Sequence, residues 1–380
     1  MNQKSDRIDV PGGLYWQSRF FNSTSGFWRW MGDLETKAVA DEIESVTVES
    51  PVYVTSLARA GTTIVTEMLE SHPALTCHHY SDFPNPWTPF WRNYLLQKSR
   101  REPPVPSVRA HRDRIMVSQD SPEAVEEVLW MAFFENLHDP SRINVLDEND
   151  GHKRFDKFYT DHIRKLLAVR KAKRYLAKGN YNISRLAYLQ RLFSNARFLV
   201  PIRQPEHHIA SLIKQHTLFS RASKLDPRVG KQLGMSGHFE FGPDRRQVNF
   251  GDQEANTAIE SAWQKGNEVE GWARYWAATY QFLCTQLESH QELSDQCLLF
   301  RYEDLCAQSE AVIDQILDHC DLDKASFSDS RKHFSSRLTL PDYYKPEFTS
   351  AEQIEIEQHC HPVYRRLEQH IRQFENHTSG

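Results

Sequence analysis

The sequence predicts an α/β fold: a P-loop-like, mostly parallel sheet flanked by helices, with helical and loop insertions. Three observations carry that prediction. Short β-rich runs at 51–56, 174–178, 197–202 and 297–302 are each followed by a helical pattern, an alternation that builds parallel sheets. The first run turns through Ser56-Leu57-Ala58-Arg59-Ala60-Gly61-Thr62-Thr63 straight into an amphipathic helix. The third ends at Arg203, with Pro205 placed to open the next helix. The 380 residues are read as a single domain over 1–380, with substrate-side insertions at about 80–170 and 217–257.

The first turn has the layout of an anion site. The opening N–H groups of a helix lack intrahelical partners, and the helix dipole adds partial positive charge there. Ala60 and Gly61 keep bulk away, while Thr62 and Thr63 add hydroxyl donors. Ile64, Val65, Met68 and Leu69 recur at helical spacing, and His72-Pro73 ends the helix. Against the template G-x-x-x-x-G-K-[ST], Gly61 and Thr63 are in place. Ser56 replaces the first glycine, however, and Thr62 replaces the lysine, leaving Arg59 as the nearby cation. That pattern argues against a nucleoside triphosphatase. Taken alone, the loop is also compatible with an ordinary strand-to-helix turn.

The second element is Arg197-Phe198-Leu199-Val200-Pro201-Ile202-Arg203, followed by a helix with Ser211 two turns along. An arginine leaving a parallel strand at its carboxyl end points into the crevice where open α/β sheets hold ligands. A surface or salt-bridged arginine is the plain alternative. Lys178 closes the run Arg174-Tyr175-Leu176-Ala177-Lys178, and a last run reads Leu298-Leu299-Phe300-Arg301-Tyr302-Glu303-Asp304-Leu305.

Together these segments resemble the sulfotransferases that use 3′-phosphoadenosine 5′-phosphosulfate (PAPS). The resemblance spans 51–73, 174–216 and 298–305. It rests on a strand–[RK]-x-G-T-T–helix–H-P unit, a strand ending in R-x-P with a serine six residues beyond, and a strand ending in Y-E-D-L. It implies that Arg59, Ala60, Gly61, Thr62 and Thr63 hold the 5′-phosphosulfate, and that Arg203 and Ser211 hold the 3′-phosphate. Arg337, in a late basic segment, is implied to touch the nucleotide. The product would be the bisphosphate PAP. Arginine at position 59 tilts the resemblance toward the carbohydrate- and protein-modifying branches, and a bacterial origin is expected.

Sulfuryl transfer parallels phosphoryl transfer, so catalysis is mainly positioning and electrostatic stabilisation. Cations beside the bridging oxygen count most, which makes Arg59 and Lys178 the catalytic candidates. Lys178 as an exposed lysine at a strand end is the alternative. No metal is required, because the donor sulfate carries a single charge. The acceptor hydroxyl must lose a proton to a general base. Protein-tyrosine sulfotransferases place a glutamate seven residues after the H-P pair, but Ser71–Asp82 contains none. His79 and Asp82 are the titratable groups nearest that place, with His78 and His216 as further candidates. The cluster Cys77-His78-His79 lacks the second ligand pair of a zinc site.

Composition narrows the classes. A net charge of −5 and a pI near 6.4 argue against a nucleic-acid partner. The six cysteines include no C-x-x-C pair. The polar N-terminus and the lack of an apolar run of ~18 residues lead us to expect a cytoplasmic protein with no transmembrane segment. Trp272, Tyr275, Trp276, Tyr280, Leu283 and Leu287 form a core stripe on a helix at 271–287, and a helix from about 351 to 374 closes the chain.

Two insertions are expected to choose the acceptor. Residues 80–116 hold Phe83, Trp87, Phe90, Trp91 and Tyr94, then the basic, proline-rich run Lys98-Ser99-Arg100-Arg101-Glu102-Pro103-Pro104. The aromatics stack on an acceptor or form a local hydrophobic cluster. Residues 217–257 carry Arg221, Lys224, Arg228, Lys231, Arg245 and Arg246, and read as a lid or a mobile surface loop. The expected reaction sulfates a hydroxyl, with carbohydrate or glycoconjugate favoured over protein tyrosine, a small alcohol or a phenol. A P-loop-like kinase or nucleotide-binding protein is the reading from outside the family.

Overall fold

In the computed structural model, residues 7–99, 107–108, 116–340 and 347–378 are described. The chain builds a five-stranded sheet from β1 (Val52–Val54), β2 (Leu75–Thr76), β5 (Arg174–Lys178), β6 (Arg197–Ile202) and β7 (Cys297–Arg301). Its order is β2-β5-β1-β6-β7, and every pairing is parallel. A short antiparallel ribbon, β3 (Ser107–Val108) with β4 (Met116–Val117), stands apart from it.

The strands are apolar because both faces of the sheet are covered. Alternate residues point to opposite sides. Tyr53, Tyr175, Ala177, Phe198 and Val200 enter the larger core, while Val52, Val54, Leu176, Leu199 and Leu298 enter the smaller one. All four strands read from the sequence are present, whereas the two-residue β2 is too short to leave a pattern. β1 lies at the centre with β5 on one side and β6 on the other, so crossovers leave it in both directions. Such a switch point opens a crevice at the carboxyl ends of the strands.

The aromatic stripe is core, within the helix Glu268–Ser289. The described residues of the 80–116 stretch include a short 3-10 turn, Tyr80–Asp82, and a helix, Pro89–Ser99. Trp87 is fully buried, with its ring 5.9 Å from that of Phe158, so this aromatic packs the core instead of facing an acceptor. The basic run from Arg100 to Pro104 lies outside the described residues. The 217–257 stretch is not one long loop. The helix Pro205–Leu225 runs into it, the helix Arg228–Met235 follows, and the helix Gln253–Gln264 takes up its far end. Among the described residues, no helix is long and apolar enough to cross a membrane.

Candidate active site

The loops that leave β1, β5 and β6 lie side by side at the carboxyl edge of the sheet. The β1 loop is anchored from beneath. Ser56 Oγ donates to the Pro201 carbonyl at 2.8 Å and lies 2.8 Å from the Tyr280 hydroxyl. One hydroxyl has one proton, so Tyr280 donates to Ser56. His208 Nε2 lies 2.8 Å from the Ala58 carbonyl, and Trp276 Nε1 donates to His208 Nδ1 at 3.1 Å. An indole N–H can only donate, which puts the His208 proton on Nε2, bonded to Ala58. Burial, reinforced by the charges of Arg203 and Arg59, pushes the His208 pKa down to about 3, so the ring is a neutral strut.

The turn itself needs its glycine. Gly61 has φ +106°, and a Cβ there would lie 2.5 Å from the Tyr302 ring. Gly61 is the N-cap of the helix Thr62–Glu70 and supplies no side-chain capping bond to the first turn. Arg59 also has positive φ, at 75°. Its Nε donates to Ser211 Oγ at 3.4 Å, and Arg203 Nη1 donates to its carbonyl at 3.3 Å. The Arg203 guanidinium lies 5.7 Å from the centre of the Tyr302 ring. Residues from three separated segments therefore meet in one cationic corner.

Beside that corner is a small pocket of about 40 Å3, lined by Arg59, Thr62, Thr63, Lys178, His238 and Glu240 among others. Lys178 is buried at the end of β5. Asn180 Nδ2 donates to Glu240 Oε1 at 2.8 Å, and the other carboxylate oxygen lies 3.5 Å from His238 Nδ1. Burial alone would raise the Glu240 pKa, but the His238 and Asn180 contacts hold it below the ordinary value. His238 is the converse: burial would lower it, and the bond and charge of Glu240 raise it. At 29% exposure, His238 is the more accessible of the pair.

Residues 51–236 match a family model described as the sulfotransferase family. That segment, just under half of the chain, belongs to the family. Among solved structures, a sulfotransferase from Mycobacterium avium matches with a TM-score of 0.51 at 14% identity, covering 87% of this chain and 79% of that one. A sulfotransferase from Mycobacterium tuberculosis H37Rv matches with a TM-score of 0.48, also at 14% identity, over 90% of this chain and 85% of that one. At such identity the M. avium likeness speaks for the fold alone. No curated protein matches the sequence.

Within the matched segment, the sequence-predicted donor residues Arg59, Ala60, Gly61, Thr62, Thr63, Arg203 and Ser211 fall on the loop and the corner just described. Lys178 lies with them. The predicted bases do not. His79 Nε2 pairs with Glu70 Oε1 at 3.1 Å, at the opposite end of the helix from Thr62. That is about 12 Å along the axis at the helical rise. Asp82 is 1% exposed and accepts from Arg170 at 2.7 Å, the His79 amide at 2.9 Å, His78 at 3.0 Å and Asn93 at 3.0 Å. Burial would raise its pKa, but these partners hold it far below the carboxylate range, so it is a structural anion and not a base. His78 is buried between Asp82 and His162, and His216 faces a separate cavity. Arg337 pairs with Glu67 at 3.3 Å on the flank of the helix Thr62–Glu70.

The fold also brings Glu70, Cys77 and His79 together, with ligand-type atoms within 4.8 Å of one another. Burial raises the Cys77 thiol well above its usual pKa, which opposes thiolate ligation there. Asn180, His238 and Glu240 escaped the sequence reading. Their only signal is a His-x-Glu step between Gly237 and Gly242, both at positive φ, in a stretch with no strand or helix period.

Proposed function

We propose that this chain transfers the sulfuryl group of PAPS to a hydroxyl, with a carbohydrate or glycoconjugate as the favoured acceptor. One observation carries the reading: Arg59 and Ser211, from different motifs, lie 3.4 Å apart beside a helix N-terminus whose N-cap is the glycine Gly61. A donor with anionic groups at both ends of its ribose needs two neighbouring anion sites, whereas a triphosphate calls on the contiguous lysine this loop lacks. The residues present fit such a donor. Thr62 and Thr63 with their amides would hold one end, and Arg203 and Ser211 the other, with Arg59 between them. PAPS supplies a sulfuryl group attached to a phosphate leaving group.

The remaining steps belong to the chain. Lys178 stabilises the charge that grows on the leaving oxygen, a role in which a buried cation is worth far more than a solvated one. His238 takes the proton of the acceptor hydroxyl, and Glu240, fixed by Asn180, orients the ring and stabilises its charged form. Only neutral His238 can act as base, so the rate rises with pH through its raised pKa.

The deciding experiment compares thermal stabilisation by PAP with that by ATP plus magnesium. PAP at a hundredfold its Kd should stabilise by roughly 2.7 kcal/mol, and ATP with magnesium should give much less. No shift with PAP, or an equal one with ATP and magnesium, overturns the reading.

A further inference from the structure

Exposed aromatic surface gathers on two N-terminal helices, Gly12–Ser23 and Ser25–Ala38, joined at Thr24. Among the described residues, the aromatic side chains more than half exposed are Trp16, Phe20, Phe27 and Trp30, and all of them lie here. Trp16 and Phe20 stand one turn apart on the first helix. On the second, Phe27, Trp30 and Leu34 recur at helical spacing, and exposed Lys37 continues their stripe. Trp28 joins the two stripes, its ring centre 6.4 Å from that of Phe20 and 5.4 Å from that of Phe27, which is 5.7 Å from that of Trp30. With half of each ring in solvent, these side chains present on the order of 400 Å2, as much as the largest apolar patch of an ordinary monomer.

The rotation of both helices is set from the other side. In the second, Glu35 Oε2 lies 2.9 Å from Lys165 Nζ, with both side chains fully buried. Lys165 also donates to the Gly32 carbonyl at 3.2 Å, and Arg29 Nη1 donates to the Ala132 carbonyl at 3.0 Å. A Cβ on Gly32 would lie 2.7 Å from the Trp87 carbonyl oxygen, so the helix rests directly on that backbone. In the first, Tyr15 and Ser18 are buried, and Gln232 Nε2 donates to Ser18 Oγ at 2.9 Å. Turning the second helix to bury its aromatics would strand the Glu35 and Lys165 charges without each other. The fold therefore holds the aromatic stripe outward.

The charges select what covers it. Of the acids on these helices, Glu35 is buried with Lys165, and Asp33 lies 3.3 Å from Arg154. Arg19 and Lys37 are exposed, and the Arg19 guanidinium lies 5.5 Å from the centre of the Trp16 ring. Exposed acids resume only past the stripe, at Asp41 and Glu42. A second copy placed face to face would set the two cations against themselves. Exposed Trp and Phe with Arg and Lys beside them is the residue pattern of helices that lie in a bilayer interface. The neighbouring helix Pro89–Ser99, whose Trp91 amide donates to Glu35 Oε1 at 2.7 Å, repeats the pairing: Lys98 Nζ lies 4.3 Å from the centre of the exposed Tyr94 ring. We propose that the two N-terminal helices dock the protein on an anionic lipid bilayer. Trp16, Phe20, Phe27 and Trp30 enter the headgroup layer, and Arg19 and Lys37 meet lipid phosphates. The docking stands apart from the sulfuryl-transfer reading.

The test sediments the full chain with vesicles of phosphatidylcholine alone, and of phosphatidylcholine mixed with an equal part of phosphatidylglycerol. Binding to the mixed vesicles should be at least tenfold tighter and should weaken as salt is raised. Trp16→Ser with Trp30→Ser should lower it at least tenfold, and Arg19→Gln with Lys37→Gln by roughly twentyfold. All of these positions are exposed, so Tm and far-UV dichroism should hold in both variants. Trp16→Phe with Trp30→Phe should still bind, but quenching of tryptophan fluorescence by brominated phosphatidylcholine in the mixed vesicles should fall by more than half. No binding to the mixed vesicles, equal binding to both kinds, or undiminished binding by the serine variant overturns the proposal. So does undiminished quenching in the phenylalanine variant, which would put other tryptophans at the bilayer. A dimer in light scattering that the serine variant dissolves also overturns it, making the face a contact between two copies. PAP stabilisation measured on the same samples reports on the donor reading alone: vesicle binding absent with PAP active sinks only the docking, and the reverse sinks only the transfer reading.

Discussion

At the donor end, each fixed residue is tied to a strand or a core helix: Ser56 to Tyr280, Ala58 through His208 to Trp276, and Gly61 against Tyr302. Where we propose that the acceptor sits, His238 and Glu240 lie on an irregular stretch between the helices Arg228–Met235 and Gln253–Gln264. Asn180 ties the Glu240 carboxylate, and the Tyr181 hydroxyl ties the Phe239 amide, to the β5 loop. Recognition of an invariant donor tolerates a rigid frame, and a variable acceptor is met by residues whose frame can change without disturbing the sheet. The contrast teaches where each kind of substitution should act.

The sharpest break in the contrast comes from the donor end. Gly61→Val forces a side chain into the Tyr302 ring at positive φ, costing on the order of 3 kcal/mol. Activity and PAP stabilisation should both vanish while far-UV dichroism persists, and retained PAP binding would mean the loop is more pliable than described. Next, Lys178→Met should cut kcat by about 10² to 10³ with PAP affinity nearly unchanged. Equal losses in both would make Lys178 a binding group. His238→Asn should lower kcat by about 10² and flatten the rising limb of the pH–rate profile. An unchanged profile removes His238 as base.

A smaller effect concerns stability. His208 titrates near 6.5 when unfolded and near about 3 in the fold. Below pH 6.5 the unfolded chain therefore binds more protons, and stability falls as pH drops until about 3. His208→Gln should shallow that slope in urea titrations, and an unaltered slope would assign acid lability elsewhere. Smallest of all, His79→Ala should change kcat by less than about twofold, since His79 pairs with Glu70 away from the pocket.

The legible part of the molecule was the part whose chemistry is contiguous. A strand, a turn with Gly61 and a helix of Val65, Met68 and Leu69 impose local patterns that survive in sequence order. The run at 197–202 ending in Arg203 did the same. His79 and Asp82 are near the H-P pair in sequence but not near the donor turn in space, because the helix Thr62–Glu70 carries that end of the chain away from it. His238 and Glu240 were invisible because their meaning depends on Asn180, brought to them by a long-range fold with no local period. For Trp87 the sequence left an acceptor platform and a hydrophobic cluster both open, because exposure cannot be read from residue type, and its burial decides for the cluster.

The props beneath the β1 loop have one more consequence, for the order in which the protein is made. Ser56 is separated from Tyr280 by 224 positions, and Gly61 waits for Tyr302. The segment 51–236, which carries the family signature, ends before both tyrosines and before Trp276. During synthesis, strands β1, β5 and β6 can leave the ribosome long before the loop they support has its floor. The donor site should therefore mature late, in a single step with the docking of β7 and the helix Glu268–Ser289, so that a nascent chain has little means of capturing donor before the whole domain exists.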